Sequence, residues 1–155
     1  MKIDFSGSEQ RLIPRLVQAA FPDPIFAATT ALWLEACGYP GLQSLAEAVQ
    51  DAPTPFVPER DVLGLDLRNI SCARIVPAVM QNVLEHGRAF LRNVRHGLFL
   101  VPGSVEHNIG IGCPIDPAFA LGGERAKNPY AERLEAARQH GIEVDDTVWS
   151  SLVRS

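Results

Sequence analysis

His107, Asn108, Cys113, Asp116, Glu124 and Arg125 all fall between Val101 and Tyr130, in "VPGSVEHNIGIGCPIDPAFALGGERAKNPY". Three chemistries suit such residues. Imidazole can activate a thiol, so Cys113 with His107 would make a nucleophile pair, the base oriented by Asp116 or Glu106. His107, Cys113 and Asp116, with His96, are metal-ligand types, but no CxxC or HxxxH pairing supports a metal site, and none is expected. The glycine pairs Gly110/Gly112 and Gly122/Gly123 could let backbone N–H groups approach an anion, with Arg125 and Lys127 adding positive potential. The reading favoured for these glycines, with no phosphate motif around them, is that they serve only the turns of a folded loop.

The spacing excludes two phosphate motifs. A dinucleotide fingerprint needs a third glycine and an immediate helix, and a Walker A loop needs Gly-Lys-Ser/Thr. Upstream, Arg88, Arg92, Arg95 and His96 form a basic cluster, and arginine offers a two-pronged fork to carboxylate or phosphate. Arg92, Arg95, His96 and Arg125 are therefore the expected ligand-binding residues, for a small anionic ligand. Cys113, His107 and Asp116 are the candidates if the protein is an enzyme. No cofactor is specified.

The elements that must hold these residues follow from periodicity and punctuation. Leu12, Ile13, Leu16, Val17 and Ala20 repeat at helical spacing after Ser8, with Pro14 an obstacle to a straight helix. A second helix is expected over about 25–36 and a third, short one after Pro40. "DAPTPFVPERD" is too rich in proline for a helix or a central strand, and reads as a connector. "VLGLDL" suits a strand. Ser71 and Gly87 bracket a helix that contains Pro77. "RAFLRNV" and "GLFLVPG" read as a β-hairpin over 88–101, turning near Arg95-His96-Gly97. The 103–127 stretch then reads as a long irregular loop, ordered because Ile109, Ile111, Ile115 and Phe119 want burial. Asn128 and Pro129 open a helix stopped by Gly141, and a last short helix follows Asp146.

The fold expected is α+β: a helical N-terminal half packed on a small, mainly antiparallel sheet with a hairpin and a long ordered Gly/Pro-rich loop. A single domain over 1–155 is expected. Within it residues 1–51 should be helical, 52–60 a connector, and 61–155 a strand-helix-hairpin-loop-helix segment.

Composition narrows the function classes. A net charge of −4 argues against a general nucleic-acid binder and against a polybasic membrane-surface protein. Three cysteines without regular spacing read as reduced thiols. No apolar run is long enough to span a bilayer, so a soluble cytoplasmic protein is expected. The apolar run Leu98-Phe99-Leu100-Val101, read as a strand, leaves an uncharged sheet edge, from which a homo-oligomer, a dimer, is expected.

"FLRNVRHGLFLVPGSVEHNIGIGCPIDPAFALGGERAKNPYAERL", with "WLEACGYPGLQSLAEAV" upstream, resembles a bacterial protein family of unknown function. The stronger likeness covers about 61–152. The resemblance implies a soluble bacterial protein and no particular reaction. The functional expectation is a small-ligand-binding or protein-interaction domain using the 103–127 loop. The alternative is a small metabolic enzyme with a Cys113/His107-centred or metal-dependent site.

Overall fold

A computed structural model of the chain describes residues 1–112, 119–124 and 128–153. In chain order the elements are β1 (Lys2–Ile3), α1 (Glu9–Gln18), α2 (Pro24–Ala36), α3 (Gly41–Val49), β2 (Arg60–Asp61), β3 (Gly64–Asp66), α4 (Cys72–His86) and β4 (Ala89–Arg92). A 3-10 turn (Gly97–Leu100), α5 (Val101–Glu106), β5 (Ile109–Gly112), β6 (Phe119–Glu124), α6 (Ala131–His140), β7 (Ile142–Glu143) and α7 (Asp146–Val153) complete it. The class is α+β. The chain falls into two compact units, Met1–Pro53 with Pro129–Ser155, and Thr54–Asn128.

The first unit is helical. Asp23 caps α2 by accepting the Phe26 N–H at 3.0 Å, and Pro24 fills the first turn, where its missing donor costs nothing. Gly41 lets α3 approach α2: a Cβ there would lie 2.3 Å from the Ala31 carbonyl oxygen. Pro14 sits inside α1, past its first turn. The segment after Asn128, expected to group with residues 61–127, belongs here instead. α6 packs on α2, and α7 packs on α1 and α3, burying Trp149 and Leu152. β7 pairs antiparallel with β1, a two-residue ladder too short to leave a period in the sequence.

The second unit carries a five-stranded mixed sheet in the order β2-β3-β4-β6-β5. Its centre is a β3–α4–β4 crossover, with the two strands parallel and Leu65 opposite Leu91, Asp66 opposite Arg92. Leu65, Leu91 and Leu121 are buried within the unit's core, each worth about 1.5–3 kcal/mol on full burial. Ser71 caps α4, its Oγ accepting the Ala73 N–H, and Gly87 ends the helix at φ 86°. Pro77 lies within α4 and leaves the Ala73 carbonyl without its helical donor.

Two expectations for this unit are corrected. Residues 88–101 are not a hairpin: β4 ends at Arg92, and "GLFLVPG" is a 3-10 turn running into α5. Phe99 and Leu100, neighbours in sequence, are both fully buried, which a strand with one wet face does not allow. An apolar run of that length is ambiguous between a strand and a buried helix, and Pro102 fits the first turn of α5. The uncharged strand edge on which the dimer expectation rests is therefore absent.

Nor are the described residues of 103–127 an irregular loop: they hold most of α5 and the antiparallel pair β5–β6, the far side of the sheet. Ile109, Ile111 and Phe119 are of intermediate burial, neither exposed nor fully covered. Ile115 lies outside the described residues.

Candidate functional site

In a sheet with parallel strands, side chains and loop backbone converge just beyond the strands' carboxyl ends, where the following helix also begins. Here β3 and β4 end side by side, at Asp66 and Arg92, and the N-terminus of α4 follows the β3 turn. The two turns are stitched together by backbone bonds. Leu67 N–H donates to the Arg92 carbonyl, Asn69 N–H to that of Asn93, and Cys72 N–H to that of Arg95, each at 2.9 Å. Four residues in these turns have left-handed backbones without being glycine: Arg68 (φ 54°), Asn69 (58°), Asn93 (53°) and His96 (57°). Each such conformation costs about 1 kcal/mol or more, less for asparagine, and clusters of them mark places where side-chain direction matters.

The polar groups there form a linked set. Asp66 Oδ1 accepts the Arg68 N–H and the Asn93 side-chain amide, both at 2.9 Å. The amide donor and the backbone donor together hold its carboxyl below the usual range. Asp61 accepts the Leu63 N–H at 2.8 Å and pairs with Arg92; those bonds depress its pKa in the same way. Arg92 Nε–H, though buried, has no acceptor among the described residues. Ser71 Oγ lies 2.6 Å from His96 Nδ1.

That Ser–His pair has the composition of a hydrolytic dyad but not its access. Ser71 is completely buried, so its oxygen cannot meet a substrate. Its hydroxyl instead fixes the imidazole through Nδ1, the role usually taken by an orienting group.

A surface cavity of about 440 Å³ opens at this end of β3, lined by Pro55, Val57, Glu59, Arg60, Asp61, Asp66 and Arg68. The volume is in the range of small-molecule sites. The proline-rich stretch supplies one wall, and its fixed backbone angles make that wall stiff. Arg60 is already occupied, donating to the Gly87 and Arg88 carbonyls and to Asn82 Oδ1. Arg68 is not. Its guanidinium lies 5.2 Å from the centre of the Phe56 ring and makes no hydrogen bond or ion pair with a described residue. Glu59 likewise has no ion-pair partner among the described residues.

The first unit has a cavity of about 420 Å³, lined in part by Glu35, Glu143 and Asp145. Burial pushes the Glu35 carboxyl up although its Oε1 accepts the Leu42 N–H at 3.0 Å. No arginine or lysine among the described residues lines it.

The residues expected from sequence distribute as follows. Arg92, Arg95 and His96 are brought together at the end of β4 and in the turn after it. Arg92 is engaged by Asp61, and the Arg95 backbone carbonyl accepts the Cys72 N–H of α4. His107 is the exposed C-cap of α5 and lines neither cavity. Cys113, Asp116 and Arg125 lie outside the described residues. Sequence reasoning misses Arg68 and Glu59. The signal available is "DLRNIS", a strand end running into a helix cap, where the intervening residues must turn. Among the described residues no group of three or more His, Cys, Asp or Glu is placed to hold a metal ion. No helix among them is long and apolar enough to cross a membrane. Comparison with protein-family models, curated proteins and solved structures found no match to the chain.

Proposed function

We propose that the second unit is a small-ligand-binding domain, and that its ligand presents an anionic group to Arg68 in the cavity at the carboxyl end of β3. One observation carries this reading: a guanidinium braced on Phe56, on a left-handed backbone, lines a cavity of about 440 Å³ without an acceptor among the described residues. An arginine fork held in place loses little entropy on binding a carboxylate or phosphate. The ligand site expected along 103–127 moves, on this reading, to the turns that follow β3 and β4. Of the basic residues expected, Arg92 and His96 act as supports: Arg92 fixes Asp61, and His96 ties the β4 turn to the cap of α4.

Calorimetric titration with butanoate and with inorganic phosphate tests the reading. Saturable binding of at least one, abolished by Arg68→Gln in a protein with unchanged circular dichroism, is the expected result. Binding that survives Arg68→Gln, or no binding of either probe or of 4-aminobutanoate, overturns it.

A further inference from the structure

The charges around this cavity are mixed, and they do not cancel in place. Arg60 spends all three of its donor nitrogens on Asn82, Arg88 and Gly87. Asp61 and Asp66 are kept ionised by the donors described above, and Asp61 already neutralises Arg92. Two side chains make no hydrogen bond or ion pair with a described residue: the Arg68 guanidinium, which lies over Phe56 and whose charge helps hold the Asp66 carboxyl down, and the Glu59 carboxylate. They line the same cavity yet form no ion pair with each other, so they stand farther apart than salt-bridge distance. Glu59 immediately precedes β2, whose Arg60 pairs with Leu65, so it lies toward the Asp66 end of β3.

A wholly anionic ligand fits this lining poorly. A phosphate dianion on Arg68 would share the cavity with the carboxylates of Glu59, Asp61 and Asp66, and like charges at close range cost free energy. A ligand bearing a cation as well removes that repulsion and gives Glu59 a partner. The apolar faces of Pro55 and Val57 suit a short hydrocarbon link between its two ends.

Building on the anionic-group reading, we infer that the cavity takes a small zwitterion, an amino acid or similar aminocarboxylate, with its carboxylate on Arg68 and its ammonium on Glu59. The separation of the two side chains selects the chain length between the ligand's charges. Asp61 and Asp66 line the same cavity and add negative potential to it without giving up their own bonds.

The test is a calorimetric panel on the full chain: ω-amino acids from glycine to 6-aminohexanoate, the matched alkanoates from acetate to hexanoate, and inorganic phosphate. At least one amino acid should bind about tenfold more tightly than its matched alkanoate, the increment of one added charge-assisted pair. Glu59→Gln should remove that advantage while raising the alkanoate affinity, because one repelling carboxylate is lost, and Glu59→Asp should retain part of it. Arg68→Gln should abolish binding of both series. Amino acids binding no better than alkanoates, or phosphate binding alone, overturns the zwitterion inference while leaving the anion site standing. No binding by any member overturns both.

Discussion

Ser71 Oγ and His96 Nδ1 lie 2.6 Å apart, joining the cap of α4 to the turn that follows β4. Both backbones converge at this point: Cys72 N–H reaches the Arg95 carbonyl, and Ser71 and Arg95 form a parallel bridge. One hydroxyl thus serves two purposes. It accepts the Ala73 N–H as a helix cap, and it fixes the imidazole. Since the two turns carry Asp66, Arg68, Arg92 and Asn93, their mutual registration sets the geometry of the cavity beside them.

Ser71→Ala should therefore cost more than an ordinary cap. Loss of the cap is worth about 1 kcal/mol and the imidazole's lost partner about another. Urea denaturation should show a fall of about 2 kcal/mol with an unchanged m-value. A midpoint equal to wild type would mean that the bond does not hold the turns together.

Acid should weaken the protein through Asp61 and Asp66. Both carboxyls titrate lower in the folded state than in the unfolded chain. A depressed folded-state pKa means that the unfolded chain takes up protons first as pH falls. Their contribution is therefore complete above the unfolded value, about 4, and is lost as pH drops through the folded values. Melting temperatures of wild type and Asp61→Asn/Asp66→Asn, taken from about pH 7 down to about pH 3, should converge toward acid. An acid slope as steep in the double variant as in wild type would contradict this.

Much of the scaffold is legible in the sequence. Ser71 and Gly87 do bracket α4, and Gly141 does stop α6, because cap and stop signals are local chemistry. What cannot be read is non-local. "GLFLV" is helical because both faces of Phe99 and Leu100 are covered, and no local pattern distinguishes that from a buried strand. "IGIG" has the period of a strand, but glycine lowers strand preference, and pairing with β6 decides the matter. The site is half legible. The arginine cluster marks Arg92, Arg95 and His96, whereas Arg68 depends on a left-handed turn imposed by the neighbouring strand, and Glu59 depends on where a proline-rich stretch lies.

Thiol chemistry separates buried cysteines from a reactive one. Burial pushes Cys72 up to about 12 and raises Cys37 as well. At neutral pH both are thiols without access, so iodoacetamide should modify neither in the native protein and both after denaturation. Peptide mapping after alkylation reads this directly, and labelling of native Cys72 at the rate of a free thiol would contradict the burial. The same map tests the alternative in which Cys113 is a nucleophile. A Cys113 that reacts no faster than a free thiol removes that reading.

The claim that Arg68 receives the ligand is tested most directly by NMR on the ¹⁵N-labelled protein, following the Arg68 Nε–Hε signal during a butanoate titration. The account predicts a saturable shift of that signal, with matching shifts in the backbone amides of residues 57, 59–61 and 66–69, and none of these in Arg68→Gln. A titration that saturates with the Arg68 signal unmoved, while amides elsewhere shift, would contradict it.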